Sequence, residues 1–120
     1  LYEIPFVKIA NRRQLYNLVK WGDNIKYLVS IDDVHKRKLF MDFNNVDFMF
    51  CVSDYPANAV LYETMFGPSL HFGISDHTKD FYLYMKYKPL IYENHYKLED
   101  SIGLDSGDFA RTPKQIKEIL

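Results

Sequence analysis

Five short apolar runs, each closing on a polar side chain able to do chemistry, set the organisation of this 120-residue chain. The runs are Pro5–Ala10, Ile25–Val29, Val46–Val52, Leu70–Ile74 and Pro89–Tyr92, and they exit near Lys8, Ser30, Ser53, Ser75 and Glu93. Apolar runs of this length, with helix-forming segments between them, are the pattern of parallel strands joined by crossover helices. Helices are expected over Arg12–Trp21, with Asn11 able to cap it, and over His35–Met41, with Asp32 and Asp33 at cap positions. Two more are expected over Ala57–Phe66, stopped by Gly67-Pro68, and over Lys79–Tyr87. A glycine-bearing loop, Leu98–Arg111, then leads to a last helix that Thr112-Pro113 opens with a capping hydroxyl and a proline in the first turn.

Two architectures share this rhythm, the open doubly wound sheet and the closed eight-stranded barrel. No Gly-x-Gly-x-x-Gly or Walker-type loop follows any of the runs, which takes weight from nucleotide-binding open sheets. Polar groups at every strand exit suit a barrel, whose loops converge on one site. The expected fold class is therefore α/β, a (β/α)8 TIM barrel. A barrel takes roughly 250 residues, so residues 1–120 are expected to be one partial barrel domain of about five βα units. About three further units are expected before Leu1, because the first and last strands would otherwise expose unpaired edges.

Composition narrows the function classes. A formal net charge of −1 gives no electrostatic case for nucleic acid or a membrane surface. No apolar run approaches the roughly 18 residues of a spanning helix. The single Cys51 excludes an internal disulfide framework and fits a reducing, cytoplasmic compartment. Ten Tyr and nine Phe point to a bulky core, with a sugar-sized cleft as the alternative reading.

Of the four histidines, His35 belongs to a charged helix face and His71 to the interior of a run. His77 and His95 differ, because each follows an apolar run at the same relative place. Either alone would read as a hydrogen-bonded loop residue. As a matched pair at adjacent exits they read as ligands of one ion, with Asp76, Glu93 and Asp105 nearby. Two imidazoles with carboxylates and open positions suit a divalent ion such as Mn²⁺, with Mg²⁺ or Co²⁺ as alternatives, better than a closed structural zinc site. Such an ion would polarise a carbonyl oxygen. Cys51 lies inside a strand and reads as packing. Lys8, Ser30, Ser53 and Ser75 come from four different exits and together make a fair phosphate cradle, although strand-end hydroxyls also serve as caps. Lys8 stands inside the apolar Phe6-Val7-Lys8-Ile9 and needs an anion or an aqueous cavity to justify its place.

These same residues carry a family resemblance. Gly73-Ile74-Ser75-Asp76-His77-Thr78 resembles the Gly-Tyr-Ser-Asp-His-Thr motif of the sialic acid synthase family, which includes the N-acetylneuraminate, legionaminic acid and pseudaminic acid synthases. Ile91-Tyr92-Glu93-Asn94-His95-Tyr96-Lys97-Leu98 is similar to its Ile-Glu-Lys-His-Phe-Thr-Leu motif, and Phe50-Cys51-Val52-Ser53-Asp54-Tyr55-Pro56 to its His-Cys-Val-Ser-Asp-Tyr-Pro exit. Val7-Lys8-Ile9-Ala10 and the stretch from Gly103-Leu104-Asp105 to Thr112-Pro113 follow the family in order. The resemblance implies barrel strands four to eight, with the first three strands and a C-terminal antifreeze-like domain outside this chain. It implies a carbon–carbon bond-forming transferase that condenses phosphoenolpyruvate with the open-chain aldehyde of an N-acetylated hexosamine to a nine-carbon 2-keto sugar acid, and a homodimer for the complete protein. By position, His77 and His95 match the metal ligands. Lys8, Ser30, Ser75 and Asn11 match the phosphoenolpyruvate shell, and Ser53, Tyr55 and Asp105 lie near the sugar. No catalytic residue is assignable beyond the metal site.

Departures keep two other readings open. Asn11 stands where the family has serine, Ser30-Ile31-Asp32-Asp33 where it has Ser-Thr-Gly-Met, and Asn94 where it has Lys or Arg. A non-catalytic relative that retains sugar or phosphate binding, or another phosphoenolpyruvate-dependent keto sugar acid synthase, are the alternatives.

Overall fold

The computed structural model describes residues 6–9, 25–40, 42–66 and 72–120. The expected helix over Arg12–Trp21, the candidate Asn11 and His71 lie outside the described residues. The chain is α/β. Strands β1 (Phe6–Ile9), β2 (Lys26–Ile31), β3 (Val46–Cys51), β4 (Gly73–Asp76), β5 (Ile91–Tyr96) and the two-residue β6 (Ala110–Arg111) form one sheet in the order of the sequence. Every neighbouring pair is parallel. The order never reverses among these strands, so the switch point of a doubly wound sheet is missing from them.

Alternation along the strands gives the sheet two different faces. One face carries Tyr27, Val29, Ile31, Val46, Phe50 and Ile74. These pack with Phe72, with Tyr62 and Phe66 of α1 (Ala59–Phe66) and with Leu83 of α2 (Tyr82–Tyr87) into the buried core. Tyr62 and Phe66 are four residues apart, so a helix of only eight residues presents both to the sheet. Phe66 stacks on Phe72 at 4.4 Å between ring centres. The other face carries Lys8, Ser30, Met49, Cys51, Gly73, Ser75, Ile91, Glu93 and His95.

That second face is concave. Lys8 and Glu93 lie four strands apart, which in a flat sheet means roughly 19 Å, well beyond the combined reach of the two side chains. Yet Lys8 Nζ lies 2.9 Å from Glu93 Oε2. The sheet must curl into a trough for the pair to meet. Gly73 fits this crowding: a Cβ there would come within 2.6 Å of Met49 Cγ, 3.0 Å of the Phe48 carbonyl oxygen and 3.1 Å of Ile91 Cβ.

Several boundaries differ from those the sequence predicts. The segment after β2 is a 3₁₀ helix, Val34–Phe40. The helix expected from Lys79 starts at Tyr82, after a turn in which the Asp80 carboxylate accepts from the Tyr82 amide at 3.0 Å. Glu93 and His95 stand inside β5 rather than beyond it, since pairing with β4 and then β6 carries the strand on to Tyr96. The loop expected over Leu98–Arg111 holds a 3₁₀ turn, Leu104–Ser106, and the short β6. The last helix, α3 (Pro113–Ile119), opens as expected, with a reciprocal capping box between Thr112 and Gln115. Among the described residues, no helix is long and apolar enough to cross a membrane.

Candidate functional site

The exits of β3, β4 and β5 bring His77 and His95 together. Their ring centres are 5.0 Å apart and their planes are inclined at 66°. Both side chains are oriented through Nδ1. In His77 this atom lies 2.6 Å from the Val52 carbonyl oxygen, which only accepts, so Nδ1 carries the proton and Nε2 keeps its lone pair. In His95 it lies 3.3 Å from Asp105 Oδ1. An imidazole held through one nitrogen by an oxygen is the usual arrangement of a metal-binding histidine. Burial holds the His77 pKa below its ordinary value, and the neighbouring His95 works in the same direction against the Val52 hydrogen bond. The neutral ring is the form that binds a cation.

Tyr62 fixes the strand end from which His77 projects. Its buried hydroxyl donates to the Ser75 carbonyl at 2.7 Å and accepts from the His77 amide at 3.1 Å. Burial pushes the Tyr62 pKa well up, so the hydroxyl stays protonated and donating. Tyr55 and Phe109 add aromatic walls. Tyr55 lies 4.3 Å from the His77 ring and 5.1 Å from Phe109, which in turn lies 5.1 Å from His95. Phe109 is buried, while Tyr55 is 52 % exposed and forms the open side of this ring cluster.

Below the histidines sits a polar knot. Ser75 Oγ donates to Glu93 Oε1 at 2.6 Å, and Lys8 Nζ reaches the two carboxylate oxygens at 3.0 and 2.9 Å. Burial works to raise the Glu93 pKa, but the Ser75 and Lys8 hydrogen bonds and the Lys8 charge outweigh it and the net shift is downward. Ser75 Oγ also lies 3.5 Å from His77 Nε2, which joins the knot to the histidine pair. Ser30 is buried on the same face, and its hydroxyl has no hydrogen-bond partner among the described residues. Cys51 is a buried free thiol whose pKa burial raises, against a hydrogen bond with Ser75.

The other expected site residues fall elsewhere. Asp76 does not stand beside the histidines, because strand alternation turns it to the helix side. There it accepts from the Thr78 amide and the Tyr92 hydroxyl, both at 2.7 Å. Ser53 lines a separate recess of about 370 Å³ with Asp32, Asp54 and Leu61. Asp32 and Asp33 are exposed: Asp32 pairs with Lys36, and Asp33 accepts from the His35 amide at 2.8 Å. Among the described residues, no group of three or more His, Cys, Asp or Glu side chains is placed to hold an ion. A recess of about 660 Å³ lies at the opposite, N-terminal ends of the strands, lined by Lys26, Arg37, Val46, Phe72 and Leu90. Parallel strands present ligands to their C-terminal ends, and the chemistry-bearing groups gather there.

Three residues of this site escape a reading of the sequence: Tyr62, Phe109 and Arg111. Arg111 sends its guanidinium to the carbonyls of Thr78, Asp80 and Asp108. A charge within the apolar Phe109-Ala110-Arg111 is the signal that singles out Lys8, and it could have found Arg111 as well. Comparison with protein-family profiles, with curated proteins and with solved structures finds no match.

Proposed function

We propose that β1 to β5 are strands four to eight of a (β/α)8 barrel in a synthase resembling the sialic acid synthases, with the two-residue β6 an addition at the end of β5. The reaction would condense phosphoenolpyruvate with an N-acetylated hexosamine. The observation that carries this reading is the meeting of His77 and His95 above the Lys8–Glu93–Ser75 knot, on the concave face of a sheet with sequential parallel order. Continuing the curl with further βα units closes a barrel around that face.

His77 and His95 would give a divalent ion two of its donors through Nε2, with the Val52 carbonyl and Asp105 lying at their Nδ1 atoms; that the ion is Mn²⁺ rests on the family resemblance. When bound, the ion would supply Lewis acidity toward the acceptor aldehyde. The chain's own residues supply the rest. Lys8, and on the same face the Ser30 hydroxyl, which has no hydrogen-bond partner among the described residues, would offer donors to the phosphate and carboxylate of phosphoenolpyruvate. Glu93 holds Lys8 in place and orients the Ser75 hydroxyl, which donates to it. Tyr55 and Phe109 form an apolar wall on which the ring-opened sugar can lie while bulk water is kept from the histidines.

A second reading, a non-catalytic relative that keeps sugar or phosphate binding, draws on Lys8 itself, which meets Glu93 rather than standing free for an anion. Calorimetry with phosphoenolpyruvate and Mn²⁺, followed by a product assay with N-acetylated hexosamines, separates the two. The synthase reading expects micromolar-range binding and turnover that chelation and His77→Ala both abolish. Full turnover after either treatment would overturn it, and binding without turnover would favour the second reading.

A further inference from the structure

We infer that Arg111 is the positioning residue that sets the spacing of the two histidine exits, an inference that rests on the metal-site reading above. Arg111 is 1 % exposed. A buried guanidinium is expensive to desolvate and normally meets a carboxylate. Here the described hydrogen bonds go to backbone carbonyls instead. Nη1 donates to Asp108 O at 2.9 Å, and Nη2 donates to Asp80 O at 2.8 Å and to Thr78 O. The guanidinium carbon lies over the Phe81 ring, 4.9 Å from its centre, a cation–π contact. Nε is buried with no partner among the described residues.

The main chain of Arg111 is fixed to a different element. It pairs in register with Tyr96 of β5, as the preceding Ala110 pairs with His95, and its carbonyl accepts from the Lys97 amide at 2.9 Å. Arg111 therefore grips the residue immediately after each histidine: Thr78 through its guanidinium, and Tyr96 through strand register. Side chain and backbone together add one link between the segment that follows β4 and the end of β5, beyond the point where the β4–β5 ladder stops at Asp76 and Asn94. The planar fork suits the task, because one group must serve three carbonyls at fixed angles. A lysine nitrogen, a single point on a flexible stem, cannot. Methionine keeps most of the aliphatic volume and none of the donors.

The test measures Co²⁺ binding by calorimetry and by visible absorption in the wild type and in Arg111→Met and Arg111→Lys. Circular dichroism is recorded alongside to confirm an intact fold. Loss of a group bonded directly to a metal ligand costs affinity about ten- to a hundred-fold; Arg111 acts through the backbone next to the ligands, so a drop at the tenfold end is expected for Arg111→Met, with Arg111→Lys between it and the wild type. Added guanidinium ion is expected to restore affinity to Arg111→Ala, whereas an alkylammonium ion is not, a distinction that a purely structural role would not produce. Co²⁺ affinity within twofold of wild type in a folded Arg111→Met overturns the inference. If Arg111→Met fails to fold, wild-type affinity in Arg111→Lys overturns it equally. A wild type that binds no Co²⁺ defeats the metal reading instead. In that case a His77–His95 ring-to-ring nuclear Overhauser effect that survives unchanged in the variants defeats the link itself.

Discussion

Two glutamates in this molecule make three donor contacts each, and they do so in opposite surroundings. Glu63 lies on the outer surface between α1 and α2, where Oε1 accepts from Tyr82 at 2.8 Å, Lys86 at 2.9 Å and Tyr87 at 2.7 Å. Glu93 lies in the trough and accepts from Ser75 and from Lys8 at both oxygens. Both pKa values are shifted downward. The donors on Glu63 come from one short helix and meet in water, where ion pairs are screened and worth little. The donors on Glu93 come from β1 and β4 and meet only because the sheet curls. The same chemistry thus fastens two helices on one side and defines a site on the other. Burial and long-range assembly make the difference, not the residue types.

Substitutions can break or sharpen this contrast. The largest effect is expected from Gly73→Ala, which forces a methyl against the Phe48 carbonyl and Ile91. Crowding of this kind costs up to about 3 kcal/mol. Urea denaturation should show the loss, and a change below a few tenths of a kcal/mol would mean that the concave face is looser than described. Next comes Tyr62→Phe, which strips the His77 amide and the Ser75 carbonyl of their shared partner and should cost about 2 kcal/mol by the same measurement. An unchanged midpoint would argue that water replaces the hydroxyl.

A double-mutant cycle on Lys8→Met and Glu93→Gln should return a coupling of roughly 1 kcal/mol, because both side chains are part-exposed and solvent screens them. Additive effects would remove the pair as a tie across the sheet. The smallest effect belongs to Glu63. Its pKa is lowered to about 2 from 4.5, with the hydrogen bond from Lys86 the largest cause. A depressed carboxylate contributes stability above its ordinary pKa and loses it as pH falls, here between 4.5 and about 2. Glu63→Gln should flatten the acid limb of the stability profile in that window and leave ion binding at the histidines unchanged. A steep limb in the variant would place the acid sensitivity elsewhere.

Much of the frame could be read from the chain. The β-α rhythm located five strands, and the burial of Val29, Ile31, Phe50 and Ile74 follows from the apolar runs that marked them. The pairing of His77 with His95 followed from their matched places after two runs. What remained hidden depends on neighbours distant in sequence. Pro89–Tyr92 was too short a strand because Glu93, Asn94 and His95 look like loop residues until β4 and β6 offer them ladders. Proximity in sequence placed Asp76 at the ion, and the two-residue alternation that puts Ser75 and His77 in the trough turns Asp76 away. Arg111 carries a sequence signal, a charge beside Phe109 and Ala110, but its partners are carbonyls, which every residue has, so nothing in the chain names what it would hold.

The Lys8–Glu93 contact also has a bearing on how the chain folds. The two residues are 85 apart in sequence, whereas the donors to Glu63 are 19, 23 and 24 away. Closing the longer loop demands that five strands already lie in order, so its chain-entropy cost falls late. Glu63 contacts belong to an early, local step. In stopped-flow measurements, variants at Glu93 should therefore act mainly on the unfolding rate, with φ near zero, while the salt link at Lys8 sets how long the curled sheet survives once formed.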